Sequence, residues 1–251
     1  MVVSLLDNAE SYSSLVGPVV DRIAISVHPA VDKARLQALR GENRFHPAAL
    51  ALFAGLLAGG GMSRSEYDEL TRYQHFGSSA DFLAGLAERG AVELSDGQIR
   101  PTEAAAAVAR SLVELQTESV ASLFEPRQSL LPEICALIMR ARIAAIADPL
   151  SPLARLMGRA WLPDDASDAA RIWDASVVLR MHRADAHATA WKEAGLTAPE
   201  IRVMAPGEPR AAIERRTNEL AATPWEGLGA DERITLLSGL AALPGTGAPI
   251  L

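Results

Sequence analysis

The chain has 251 residues, of which 49% are hydrophobic, and a formal net charge of −7 at pH 7. A sequence of this length and composition buries a substantial core, as one large domain or two small ones, which excludes general disorder. The excess of acidic residues also excludes an overall electrostatic attraction to nucleic acid or to an anionic membrane, so any basic patch must be local.

The cysteine and lysine contents narrow the class of protein further. Cys135 is the single cysteine, which excludes an intramolecular disulfide and a cysteine-based metal cluster. The sequence shows no signal peptide and no apolar run near the roughly 20 residues of a membrane span, so we expect a cytoplasmic protein with no membrane partner.

Lys33 and Lys192 are the only lysines. The arginines that supply the other positive charges favour bidentate contacts to oxyanions, although a GC-rich coding bias gives the same composition.

Prolines and glycines divide the first part of the chain. Residues 1–45 are predicted to form an N-terminal helical segment in which Pro18 and Pro29 are breaks. After this segment, Pro47 has the position of a first-turn residue in a helix that Gly59-Gly60-Gly61 terminates.

Two more helices and a hairpin follow. Ser63 and Glu66 have the spacing of a capping box at the start of the second helix. Ser79 is placed to cap a third helix, from Ala80 to Arg89, which Gly90 ends.

The next segment changes from helical to strand periodicity. Ser95-Asp96-Gly97 separates two short alternating runs, which is typical of a hairpin, and a long helix then runs from 103 to about 124. This order predicts a winged helix-turn-helix domain over residues 46–125. In support, Leu86–Leu94 resembles the passage from recognition helix to wing in MarR-like proteins.

Residues 126–251 are predicted to form a helical C-terminal domain, so the whole chain belongs to the mainly α class. Its clearest element is a helix over 167–194, ended by Gly195, which at about 1.5 Å per residue is roughly 40 Å long. Shorter helices are expected over 211–222 and 231–240, before a Pro/Gly-rich tail.

The predicted winged helix is poorly suited to reading DNA. A recognition helix needs basic or amide side chains that reach base edges and phosphates. The predicted solvent face instead carries Asp81, Gly85 and Glu88, and the wing tip carries Asp96. Arg89 and Arg100 are the only basic residues there. We therefore expect DNA binding to be weak or absent, since function depends on the site rather than on the fold.

The long helix carries a stripe of cationic and aromatic residues. Arg180, Arg183 and His187 recur at helical spacing, with Trp173 two turns before them and Trp191 one turn after. Such a stripe fits an anionic small molecule held by the arginines and the indoles. It equally fits a buried network in which the arginines pair with Asp and Glu of neighbouring helices.

The two histidines of this helix are poorly placed to share a metal. Residues 182 and 187 lie roughly 140° apart around the axis, whereas metal pairs on helices lie three or four residues apart. His182 and Asp185 have the better spacing, but no pattern supplies a third ligand. We predict no metal and no other cofactor. His187 or His182 is then the titratable group, and Asp185 or Asp174 is the orienting or acid/base group.

The same helix carries a family resemblance. Leu179-Arg180-x-His182-Arg183-x-Asp185-x-His187 resembles the L-R-x-H-R-x-D-x-H motif of an actinobacterial family of SalK-like helix-turn-helix proteins. A second match, from Ile213-Glu214-x-x-Thr217 to Pro224-Trp225, is similar to the closing helix of that family. The resemblance implies a second winged-helix segment between the motifs. Here Thr197–Arg210 is too short for more than a remnant of it.

These observations lead to one preferred function and two alternatives. We expect a small-molecule enzyme or binding protein of specialised metabolism that acts on an anionic substrate by metal-independent acid/base chemistry, such as elimination or cyclisation. Its predicted catalytic residues are His182, Asp185 and His187; its predicted substrate-binding residues are Arg180, Arg183, Trp173 and Trp191. The first alternative is a MarR-like, ligand-responsive transcription regulator. The second is a partner subunit that uses Trp161, Leu162 and the apolar helices as an interface; a homodimer is also an expected form of the protein.

Overall fold

The computed structural model describes residues 6–27, 31–42, 53–72 and 79–244, which form helices and one small antiparallel sheet. The mainly α class is therefore confirmed. The helices are α1 (Ala9–Ile25), α2 (Lys33–Glu42), α3 (Ala54–Ala58), α4 (Arg64–Leu70), α5 (Ser79–Glu88), α6 (Glu103–Phe124), α7 (Leu131–Ala147), α8 (Pro152–Met157), α9 (Asp168–Glu193), α10 (Ala198–Val203), α11 (Glu208–Leu220) and α12 (Ala230–Ala242). The strands are β1 (Met62–Ser63), β2 (Val92–Ser95) and β3 (Gln98–Pro101), and 3₁₀ turns occupy Glu125–Leu130 and Thr223–Trp225.

The N-terminal helix α1 passes through Pro18, so the predicted break at this residue is wrong. Pro18 is exposed, and the carbonyl that loses its helical partner there can bond to water. The opposite face of α1 buries four side chains almost completely, namely Tyr12, Val16, Val20 and Ile23. Burial of each contributes roughly 1.5–3 kcal/mol, which together exceeds the ~3 kcal/mol that an internal proline costs.

The three-stranded sheet has the order β1-β3-β2, and its hairpin turns where the sequence predicts. Asp96 and Gly97 both have positive φ, as a tight two-residue hairpin turn requires. Around the sheet, the capping box of Ser63 and Glu66 begins α4, and Thr102 caps α6. Ser79 is the first residue of α5 rather than its cap. The predicted features at Pro29, at Pro47 and in the tail lie outside the described residues.

The C-terminal part follows its predicted helices with small shifts. Ser167 accepts a hydrogen bond from the Ala170 amide and begins α9, which ends before Gly195 at positive φ. Helix α11 begins at Glu208, three residues before the start expected at 211, because Pro209 is well suited to a first-turn position. Between these helices, residues 197–210 hold α10 and the start of α11.

The long helix α9 is the central element of the structure. It packs against α1, α6, α7, α8 and α11. One hydrophobic core joins α1, α7, α9 and α12, and a second fills the space between the sheet, α3 to α6 and α8. Trp161 and Leu162, the predicted interface residues, are half-buried against this second core. None of the described helices combines the length and the apolar character that crossing a membrane requires.

Gly60 and Gly61 lie between α3 and β1, and substitutions at these two positions test how closely the start of β1 approaches β3. Gly60 and Gly61 both have φ near +100°, but a Cβ at Gly61 would lie 2.1 Å from the Ile99 carbonyl oxygen, whereas nothing lies within 4 Å of one at Gly60. Gly60→Ala should lower the free energy of unfolding by roughly 1–2 kcal/mol, the cost of left-handed backbone. Gly61→Ala should cost a further ~1–3 kcal/mol from overpacking. Urea denaturation measures both, and equal losses would contradict the close approach.

Candidate functional site

An open cleft of about 570 Å³ lies beside α9, between α1, α11 and the Thr223–Trp225 turn. Its wall is largely apolar, and its polar groups come mainly from α9 and α11. The lining residues are Ser13, Gly17, Pro18, Val20, Asp21, Leu179, Arg180, His182, Arg183, Ala184, His187, Glu214, Thr217, Ala221, Pro224 and Trp225. The structure therefore brings four of the seven predicted site residues to one cleft: Arg180, His182, Arg183 and His187.

Arg183 lies deepest among the cationic groups of the cleft. Its Nη1 donates to Asn218 Oδ1 at 2.8 Å, and its Nη2 lies 3.4 Å from Glu214 Oε2, which is a long contact for an ion pair. The side chain lies against Gly17, where a Cβ would approach the guanidinium to 3.4 Å. Burial lowers the pKa of Arg183, and the charges of Glu214 and Asp21 oppose this effect. Its strongest partner is thus a neutral amide.

Arg180 lies at the exposed edge of the cleft. Its Nε donates to Asp21 Oδ1 of α1, and the two side chains are 43% and 26% exposed. Exposed pairs of this kind contribute roughly 0–1 kcal/mol, so their partners exchange easily.

His187 is the more accessible histidine of the cleft. Its Nε2 lies 3.7 Å from Glu214 Oε1, and its side chain is 23% exposed. Burial lowers its pKa below the ordinary value of about 6.5, the negative charge of Glu214 opposes this, and the nearby Arg183, Arg210 and Arg72 lower it further. These effects favour the neutral imidazole, which is the form of a general base.

His182 lines the cleft, but its Nε2 contacts Asp148, which is not among the lining residues. This nitrogen lies 2.8 Å from Asp148 Oδ2, and the residue is 3% exposed. Burial lowers its pKa, despite the opposing hydrogen bond and charge of Asp148 and the charge of Asp185. His182 and His187 thus contact different carboxylates, in agreement with their spacing on the helix.

Asp185 does not line the cleft. Its Oδ1 accepts from Arg72 Nη2 at 2.9 Å, and its Oδ2 accepts from the Ser151 hydroxyl at 2.9 Å and the Leu153 amide at 2.8 Å. The residue is 3% exposed. Its contacts join α9 to the first turn of α8 and to the end of α4. The predicted catalytic role of Asp185 remains a prediction that this geometry does not favour.

The two predicted indoles also lie outside the cleft. Trp173 donates from Nε1 to the Ala24 carbonyl at 3.1 Å. Trp191 packs with Ile201 and Ile213 in a third, small core, with the Lys192 ammonium 5.4 Å from its ring. The residues of the predicted stripe therefore do not share one site, because different elements pack against the two ends of α9 and against its middle.

Three functional candidates escaped the sequence argument: Asp21, Glu214 and Asn218. Asp21 lies 159 residues from its partner in sequence, which periodicity within one helix cannot reveal. Glu214 belongs to the second motif match. The occurrence of both motifs in one chain was therefore the sequence signal that could have linked Glu214 to the site. In the structure, Arg183 and His187 of the first motif face Glu214 of the second.

Comparisons of the chain with protein-family models, with curated proteins and with solved structures gave no match. The resemblance to SalK-like proteins therefore remains a prediction from the two motifs.

Asp185, which lies outside the cleft, and Asp21, which lines it, have different surroundings and should therefore differ in the cost of their removal. Asp185→Asn keeps the volume but leaves the buried Arg72 charge and the donors at residues 151 and 153 poorly matched, so it should lower the free energy of unfolding by about 3 kcal/mol. Asp21→Asn, which removes a carboxylate from an exposed pair, should cost less than about 1 kcal/mol. Denaturant unfolding of both variants measures the difference. A neutral effect of Asp185→Asn would show that the network is not structural.

Proposed function

We propose that the cleft binds a small organic molecule with an apolar body and an anionic group, and that His187 exchanges a proton with it. The observation that supports this most directly is the convergence of Arg180, Arg183 and the imidazole of His187 on one largely apolar cleft. The reaction class we favour is metal-independent acid/base chemistry in specialised metabolism, either elimination or cyclisation.

The size and lining of the cleft support a small-molecule ligand. Its volume of about 570 Å³ falls within the ~300–1,000 Å³ of typical ligand sites, which combine apolar walls with a few polar groups. Val20, Leu179 and Trp225 supply apolar surface for a hydrocarbon body. A cleft of this kind buries most of such a ligand.

The partners of the two arginines support an anionic group on the ligand. The long contact of Arg183 to Glu214 and the exposed pair of Arg180 with Asp21 leave both guanidiniums able to exchange carboxylate for a ligand oxyanion. A guanidinium holds a carboxylate or phosphate at two points, a geometry that lysine does not reproduce.

The proton-transfer role is best served by His187 together with Glu214. The carboxylate lies 3.7 Å from Nε2, where it stabilises the imidazolium that forms when the ring accepts a proton. Glu214 thereby takes the role for which the sequence offered Asp185 or Asp174. His182, whose orientation Asp148 fixes, is the second candidate proton carrier.

A charge-matched pair of probes tests the proposal. 1-Naphthylacetate should bind at least tenfold more tightly than 1-naphthylacetamide in isothermal titration calorimetry, because only the former carries an oxyanion. Arg183→Lys should remove this advantage. Arg171→Lys should preserve it, since Arg171 lies on the same helix but contacts backbone carbonyls of residues 164 and 166. Equal affinity for both probes, or an unchanged advantage in Arg183→Lys, would refute the proposal.

Proton linkage tests the role of His187 in the same experiment. A bound anion raises the pKa of the neutral imidazole, so 1-naphthylacetate should take up protons on binding, and its affinity should rise as the pH falls from 8 to 6. Calorimetry in two buffers with different ionisation enthalpies measures the proton uptake. His187→Gln should abolish it, whereas Arg171→Lys, at a residue that does not line the cleft, is the control and should leave it unchanged. Uptake that persists in His187→Gln would assign the proton to another group.

The second candidate is a ligand-responsive regulator on a winged-helix scaffold. The order of α3, α4, α5, the β2–β3 hairpin and α6 supports this scaffold. The exposed residues of α5 and the hairpin argue against DNA: Asp81, Glu88, Glu93 and Asp96 outnumber Arg89 and Arg100. We therefore expect no retention on duplex DNA at physiological salt. Retention that falls steeply with added salt would favour the regulator, since phosphate contacts release counterions.

A further inference from the structure

A second cavity, of about 110 Å³, lies between the two hydrophobic cores. It is bounded by α6 on one side and α9 on the other, and the segment after α8 closes a third side. Its wall includes Val113, Gln116, Trp161, Trp173, Val177 and Met181. Except for Gln116, these side chains are apolar over most of their surface.

Gln116 is an unusual residue for this position. It is 6% exposed and lies on the face of α6 that otherwise buries Leu112, Val113 and Val120. Within the described part of the chain, its side-chain amide makes no hydrogen bond. The polar atoms of this amide are not fully buried, so they remain able to bond to water or to a ligand in the cavity. Because Gln116 lies on the cavity wall, a ligand with a hydroxyl or carbonyl group can bond to this amide.

The charged groups at the edge of the cavity are already paired. Asp174 accepts from Arg142 Nε at 2.8 Å, with both side chains largely buried, and Arg180 pairs with Asp21. An additional charge would therefore meet no uncompensated partner in this apolar surrounding, where burying it is costly. The cavity suits an uncharged molecule.

We propose that this cavity is a second ligand site, which binds a small uncharged aromatic molecule whose hydroxyl or carbonyl group hydrogen-bonds to Gln116. An apolar cavity of ~150 Å³ in another protein binds benzene, so a single substituted ring is the appropriate size. Met157 and Met181 line the wall, and flexible thioether side chains adapt to a ring and contact its edge favourably. Trp161 and Trp173 offer aromatic surface for stacked or edge contacts.

Matched fluorinated probes test this site in the full chain. Ligand-observed ¹⁹F NMR should show saturable binding of 4-fluorophenol and of fluorobenzene, with 4-fluorophenol about tenfold tighter, the equivalent of one well-made hydrogen bond. Gln116→Met preserves the shape of the side chain and should equalise the two affinities. Gln128→Met, on the exposed 3₁₀ turn, is the control and should leave the preference unchanged.

Two further variants locate the binding. Val177→Phe fills the cavity and should abolish binding of both probes, whereas Arg183→Lys, in the first cleft, should leave both affinities unchanged. Retained binding of fluorobenzene by Gln116→Met shows that this variant folds. The proposal is overturned if neither probe binds saturably to the wild-type protein, if Val177→Phe binds them as well as wild type, or if the phenol preference survives in Gln116→Met.

Discussion

The buried carboxylate of Asp185 is the contact on which the arrangement of this protein depends. It collects donors from the end of α4, from Ser151 before α8 and from the first turn of α8, and thus fixes α9 to two other parts of the chain. With its charge almost wholly removed from water, the carboxylate is stable only while all of these donors are in place. A rotation or slide of α9 would break several of them together.

This constraint also orients the cleft. Residues two positions apart on a helix point about 200° away from each other, so Asp185 directed into the interior turns Arg183 and His187 outward, to α1 and α11. The polar contacts of α9 differ accordingly between its faces. Toward α8 they are short and buried. Toward the cleft they are longer, half-exposed or made to a neutral amide, which suits groups that exchange partners. The fixed contacts of α9 with α8 thus hold the helix in place while the side chains on its cleft side exchange partners.

Local patterns predicted local structure well. The capping box at Ser63, the Asp96-Gly97 turn and the limits of α9 follow from backbone chemistry that acts within a few residues, and the structure confirms them. Pro18 misled the prediction because its cost is local whereas the burial that offsets it comes from helices far along the chain.

The site was predictable only in part, for a similar reason. Helical periodicity identified Arg180, Arg183 and His187 as neighbours, and they do meet in one cleft. Periodicity does not reveal what packs against each face. The indoles at residues 173 and 191, and the carboxylate of Asp185, were therefore grouped with residues that face other elements. Glu214 and Asp21 reach the cleft only through tertiary packing of α11 and α1.

The arginine-rich composition has a final consequence for the chemistry of the cleft. Both lysines of the chain lie elsewhere, since neither Lys33 nor Lys192 is among the described residues that line it. A lysine amine can lose its proton, attack a carbonyl carbon and form an imine, whereas a guanidinium stays protonated and is not a nucleophile. Lysine-based covalent catalysis through a Schiff base is therefore not open to this cleft. In the function that we propose, the guanidiniums bind and stabilise negative charge, and protons move through imidazole and carboxylate.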